Sequence, residues 1–252
     1  MKQLRFKITC LKGAPRLLYA IPRANYYIKR WDKYGEEKEY SIAIWIIETV
    51  RKLANVSTKY YGLENLPKEG GYTLYSNHQG KYDALGILLG HQKPISILWE
   101  RKTARKILAR QINGLVRGQT IDFNEKKEYL SIFKTITNEL KEGRRYLIFP
   151  EGKYEDNKNS LQEFQSGCFI SSFSSETPVI PVCIYNSYRA MDLNTFGHEE
   201  TEVHFLKPIM PEEYKGLNRK ELCALVKKRI QDKLSERINA PENKKYKDNN
   251  IF

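Results

Sequence analysis

From residue 71 onward, short apolar runs alternate with stretches of helical periodicity. The runs over 72–76, 95–99, 119–123, 145–149, 179–185 and 201–206 predict strands, and 83–90, 102–112, 125–141, 161–173 and 218–238 predict helices. The clearest helix is 125–141. Asn124 stands where it can cap the start, Tyr129, Ile132, Phe133, Ile136 and Leu140 share one stripe, and Gly143 ends it. In 218–238, Asn218 and Glu221 have capping-box spacing, and Leu222, Leu225, Val226, Ile230 and Leu234 fall on one face. Strands and helices in alternation predict an α/β domain: a mixed, mostly parallel sheet with helices on both faces.

The chain before this domain reads differently. Ile42, Trp45, Ile46, Thr49, Val50 and Leu53 predict a helix over 41–57 whose stripe either packs on the main domain or dips into lipid. Residues 1–30 mix leucines and tyrosines with basic residues, and Pro15 and Pro22 are expected to break any long helix there. Two readings stand for this stretch: a frayed basic arm, or an interfacial segment with aromatic and aliphatic side chains among lipid headgroups and lysines snorkelling. Gly62 and the Pro67–Gly71 stretch punctuate the chain, so residues 1–60 are taken as a basic N-terminal helical or interfacial segment, 61–240 as the main domain and 241–252 as a polar tail.

Charge sharpens the second reading. The 252 residues carry a formal net charge of +13, and residues 1–30 hold eight Lys or Arg and no acid. A second basic cluster comprises Arg101, Lys102, Arg105, Lys106 and Arg110. Nucleic acid and an anionic membrane surface both fit such patches. Each basic residue near an anionic leaflet is worth roughly 1 kcal/mol. No zinc finger, glycine-rich phosphate loop or RNP-like aromatic pattern supports nucleic acid, so no nucleic-acid partner is expected. The four cysteines are far apart and form no CxxC pair, which argues against a zinc site or a disulfide framework. With no 18-residue apolar run and no continuous apolar core near the N-terminus, neither a membrane span nor a cleaved signal is expected.

The candidate chemistry lies at two strand exits. Asn77-His78-Gln79-Gly80-Lys81-Tyr82-Asp83 follows the run 72–76, which puts His78 at the carboxyl end of the sheet, where open α/β folds bind ligands. Asp83 could fold back onto the imidazole and leave the second ring nitrogen free as a general base, or it could merely cap the helix it begins. Phe149-Pro150-Glu151-Gly152 ends a second buried run and can reach the same edge. His91, His198 and His204 show no partner spacing.

Taken together, Asn77-His78-x4-Asp83 and Phe149-Pro150-Glu151-Gly152 resemble the glycerolipid acyltransferases, specifically the lysophosphatidate acyltransferase type. The likeness extends over roughly residues 60–210, with weaker blocks at Phe164-x-x-Gly167, Val179–Val182 and Val203–Ile209. It implies acyl transfer from acyl-CoA or acyl carrier protein to the hydroxyl of a lysophospholipid acceptor, 1-acyl-glycerol-3-phosphate by default. His78 would act as base, Asp83 would orient it, and Glu151 and Gly152 would shape the acceptor site. Neither a cofactor nor a metal is called for, and the expected location is peripheral, on the cytoplasmic face of the membrane. The likeness has gaps: the family's Glu-Gly-Thr-Arg is here Glu151-Gly152-Lys153-Tyr154, and Phe123 replaces a further arginine. Two phosphate-gripping arginines are thus displaced, with Lys153 and Arg117 as the nearest substitutes and Arg101 or Arg144 further off. A different lipid acceptor is the alternative this leaves open.

Overall fold

The computed structural model describes residues 4–122 and 125–241. The chain runs through α1 (Leu4–Ile28), α2 (Trp31–Tyr34), α3 (Glu36–Leu53), β1 (Val56–Tyr61), β2 (Tyr72–Ser76), α4 (Asp83–Gly90), β3 (Ser96–Glu100), α5 (Arg101–Ala104), α6 (Ala109–Leu115), β4 (Gln119–Ile121), α7 (Lys126–Lys141), β5 (Arg145–Ile148), α8 (Ile170–Ser175), β6 (Val179–Tyr185), β7 (Glu199–Phe205), α9 (Pro211–Tyr214) and α10 (Arg219–Asn239). Among the described residues, the sheet has seven strands in the order β1-β7-β6-β2-β5-β3-β4. Pairings from β6 to β4 are parallel, β7 runs antiparallel to β6, and β1 lies parallel to β7. The expected mixed, mostly parallel sheet with helices on both faces is what forms.

Alternation along the central strands divides the core. Tyr72, Leu74, Leu147, Ile180, Val182 and Ile184 pack on the face covered by α1, α3, α4 and α6. Tyr75, Tyr146, Ile148, Val179 and Cys183 pack on the face covered by α7, α8 and α10. Both sides being covered, β2 and β6 are buried at every position, which is why they read as unbroken apolar runs.

Pro15 and Pro22 do not break the first helix, which is continuous over Leu4–Ile28. Both prolines are exposed, whereas Gly13, Ala20 and Ala24 form a buried face of small residues. The carbonyls freed by the prolines belong to exposed Leu11 and Leu18, where water can satisfy them, and the other face is held by packing. There a Cβ on Gly13 would sit 3.4 Å from Leu53 Cδ1, so α1 and α3 approach closely.

Three other expectations change. The helix expected over 41–57 is Glu36–Leu53, and it gives way to a strand absent from the sequence reading, β1. Asn55, at φ 54°, turns the chain through the left-handed region in which helices commonly end. Helix 102–112 divides into α5 and α6 around Leu108, at φ 72°. Of 161–173, only Ser166 onward is helical, as a 3₁₀ turn leading into α8. The C-terminal helix matches closely: Asn218 Oδ1 accepts from the N–H groups of Lys220 and Glu221, and Glu221 accepts in return from Asn218 N at 2.7 Å.

Position 60/61, taken as a boundary, lies inside β1, and Ala20, Ala24, Ile46 and Ile47 share one hydrophobic cluster with Leu74 and Leu147. On α3, Ile42, Ile46 and Ile47 enter the core, while Trp45, Thr49, Val50 and Leu53 line a cleft against α1. The cap expected from Asn124 and the tail from 242 onward lie outside the described residues. Among the described residues, no helix is long and apolar enough to cross a membrane.

Candidate active site

His78 leaves the sheet two residues beyond β2, and Asp83 opens α4. The chain turns back between them, so that Asp83 Oδ2 lies 2.6 Å from His78 Nδ1. The same oxygen accepts from the backbone N–H groups of Gln79 and Gly80. The carboxylate is fully buried, whereas the imidazole retains 19% exposure. A buried acceptor already gripped by two amides fixes the ring so that Nδ1–H donates to Asp83 and Nε2 is left to accept.

The ring is also held by packing. It stacks on Phe149 with centroids 4.4 Å apart and meets the edge of Tyr154 at 4.7 Å. The segment after Phe149 grips the His78 backbone at both polar groups. Glu151 Oε1 accepts from His78 N at 3.1 Å, and Asn157 Nδ2 donates to His78 O at 2.9 Å. Gln162 Nε2 donates to Glu151 Oε2 at 2.7 Å. Burial raises the Glu151 pKa to about 7, against the pull of the Gln162 and His78 donors. Glu151, expected to shape an acceptor site, thus braces the histidine loop, its carboxylate held within the protein. Gly152 takes φ 74° with open space where a Cβ would point, so its glycine serves the turn rather than a close approach.

Further polar residues seal the loop to β6. Asn77 accepts from Ile184 N and donates to Ile184 O, and Gln79 spans Asn159, Ile184 O and Ser187 N. Asn157, Gln162 and Gln79 went unnoticed in the sequence, because isolated amide side chains in loops carry no periodic signal.

Of the proposed substitutes for the displaced arginines, Arg117 and Arg144 lie at the far edge of the sheet. Arg117 precedes β4, at the amino edge of the parallel strands, opposite His78. Its Nε donates to buried Glu39 at 2.7 Å, and its guanidinium lies over Trp31. This corrects its assignment as a phosphate ligand: it joins the helical segment to the sheet. Arg144 precedes β5 at that same edge, within reach of Glu36 and Glu139, and Arg101 pairs with Glu128. Lys153 is largely exposed and pairs with Glu155. The cation nearest the histidine loop is one the sequence reading passed over, Lys81, between His78 and Asp83 themselves; it pairs with Asp192.

Beside this loop, α1 and α3 flank an open cleft lined by Phe6, Leu17, Trp45, Leu85, Leu108 and Met191 among others, with Lys81 on its wall. Of the other histidines, His91 is a buried structural residue. Its Nε2 lies 2.7 Å from Tyr72 Oη, its Nδ1 2.6 Å from Lys93 O, and burial lowers its pKa to about 4. His204 pairs with Glu202, two residues earlier on β7. Among the described residues, no group of three or more His, Cys, Asp or Glu could hold a metal ion.

A histidine steered by a buried carboxylate, at the carboxyl edge of a mixed sheet and beside an apolar cleft, suits acyl transfer to a hydroxyl. The acyltransferase family model matches residues 57–185, half of the chain, and the chain belongs to that family. Among named relatives, it is similar to the 1-acyl-sn-glycerol-3-phosphate acyltransferase of Salmonella typhimurium, 26% identical over 168 residues, 66% of this chain and 68% of that one. The protein of that name from Escherichia coli K12 is 25% identical over the same shares. The sheep 1-acyl-sn-glycerol-3-phosphate acyltransferase alpha is 25% identical over 70% of this chain and 61% of its own length. In fold, the chain resembles the crystal structure of the 1-acyl-sn-glycerophosphate acyltransferase PlsC from Thermotoga maritima, with a TM-score of 0.69 over 92% of this chain and 98% of that one, at 17% identity.

Proposed function

We propose that the protein transfers a fatty acyl group from acyl-CoA or acyl carrier protein to the free hydroxyl of 1-acyl-glycerol-3-phosphate, giving phosphatidate. The observation that carries this reading is the Asp83–His78 contact beside an apolar cleft. His78 Nε2 takes the proton as the hydroxyl oxygen attacks the thioester carbonyl. Asp83 stabilises the imidazolium that results. The tetrahedral adduct collapses, the carbon–sulfur bond breaks, and the imidazolium returns its proton to the leaving thiolate. No acyl-enzyme forms, and neither a cofactor nor a metal ion is required. The cleft between α1 and α3 takes up a fatty chain, removing apolar surface from water at about 25 cal/mol per Å².

The reaction takes place at an anionic membrane surface, on its cytoplasmic face. Leu11, Leu18, Tyr19, Trp31 and Trp45 are exposed on the helical segment, and Tyr19 packs edge-on against Trp45 across α1 and α3. Arg23 and Arg30 lie over tyrosine rings of α1, pairing cations with amphipathic aromatics as an interface favours. The test presents acyl-CoA and acyl carrier protein donors with a panel of lysophospholipid and neutral acceptors, products being read by mass spectrometry. Phosphatidate is the expected product. Acylation of some other acceptor in its place, or of none, would refute the assignment. Co-sedimentation with anionic but not neutral vesicles is expected as well, and indifference to lipid charge would refute the surface.

A further inference from the structure

Acceptor recognition in this chain has to manage without arginines at the positions where the family resemblance expects them, and Arg117 and Arg144 are committed at the opposite edge of the sheet. Granting the transfer to a lysophosphatidate proposed above, we propose that Lys81 is the residue that reads the acceptor's phosphate, exchanging its partner Asp192 for the substrate.

The placement is specific. Lys81 lies inside the loop that joins His78 to Asp83, so its backbone is fixed relative to both. Its N–H donates to Asp192 Oδ2 at 3.2 Å, and its Nζ pairs with Asp192 Oδ1. The ammonium also lies 5.8 Å from the centre of the Tyr154 ring, the ring that meets the edge of His78. On its other side it lies 5.5 Å from the Phe6 ring, and its side chain lines the apolar cleft. One cation therefore stands between the reacting imidazole and the groove for a fatty chain. A lysophosphatidate carries a group for each of the three: an apolar tail, a reacting hydroxyl and, on the neighbouring carbon, a phosphate.

Asp192 holds the cation in position without sealing it off. The Lys81 and Asp192 side chains retain 23% and 19% exposure, so the pair is open to a competing anion. A phosphate monoester carries roughly −1.5 to −2 charges near neutral pH and outbids a single carboxylate for one ammonium. When Nζ leaves, Asp192 still accepts from the Lys81 N–H, so it is not stranded. The other loop amides are unavailable for phosphate, since those of His78, Gln79 and Gly80 donate to Glu151 and Asp83.

The test compares 1-acyl-glycerol-3-phosphate with 1-acylglycerol as acceptors, using the full chain and one fixed donor. Lys81→Met should lower kcat/KM for the phosphorylated acceptor roughly ten- to a hundredfold relative to the neutral one. The loss should sit in the acceptor KM, leaving the donor KM unchanged, and Lys81→Arg should recover most of it. On the unaltered protein, glycerol 3-phosphate should compete with the acceptor and not with the donor, a measurement independent of how the variants fold. An equal loss on both acceptors would mean that Lys81 supports the loop or the thioester oxyanion and would overturn the assignment; so would an absence of competition by glycerol 3-phosphate. If the unaltered protein does not acylate lysophosphatidate at all, it is the proposed reaction that fails.

Discussion

His78→Ala should lower the rate of acyl transfer by about 10²–10⁴-fold, the range typical of a lost general base, while the protein keeps its fold. The two losses separate because the His78 main chain, rather than its ring, secures the loop. Glu151 accepts from its N–H, Asn157 donates to its carbonyl, and alanine retains both groups. The ring contributes a stack on Phe149, worth roughly 0.5–1.5 kcal/mol. Asp83 keeps the amides of Gln79 and Gly80 after the imidazole has gone. Asp83→Ala should behave differently, losing both activity and stability, because it leaves those two buried N–H groups without an acceptor at about 1–3 kcal/mol each. Steady-state turnover paired with thermal melts separates the two cases. Near-normal turnover by His78→Ala would rule out the imidazole as base.

A large effect on stability is expected at Arg5→Leu. Arg5 is fully buried, and its guanidinium donates to the carbonyls of Ala190, Thr195, Gly197, Ala54 and Asn55, with Glu199 4.0 Å away. Leucine would strand several of these acceptors at once, and the cost should reach about 3 kcal/mol even when water satisfies some of them. For a chain of this size that corresponds to a fall in Tm on the order of 5–10 °C. The segment held by Arg5 also carries Asp192, so acyl transfer should weaken along with the melting temperature. A melting temperature within a degree of the parent's would show that the carbonyls are satisfied without the guanidinium.

Elements whose residues carry their own signal were legible from the sequence. The buried runs of β2 and β6, the stripe of α7 and the Asn218–Glu221 cap each record their surroundings in a local pattern. β1 was hidden because it is an edge strand with alternating and partly polar exposure, and nothing before Asn55 announced where the helix would stop. Pro15 and Pro22 misled for the opposite reason: a local penalty of about 3 kcal/mol was outweighed by packing that the sequence does not display. At the site, His78 and Asp83 were readable because a short loop brings them together. Glu151 was found, but its contacts were not, since burial and contact with Gln162 and the His78 amide depend on how β2 and β5 align. Lys81 stood in plain view within the motif, yet only its closeness to Tyr154 and Asp192 gives it chemical meaning.

The strand order also sets a timetable for synthesis. Among the described residues, the first strand made, β1, has a single neighbour, the last strand made, with Val56 opposite Glu199 and Tyr61 opposite His204. While the ribosome is still producing the intervening chain, the backbone amides and carbonyls of that early strand can find no native partner. Closing so distant a pair is entropically costly and slow, and it leaves a bare edge open to association with other chains in the meantime. The nascent protein thus finishes this margin of its sheet only when Phe205 has emerged.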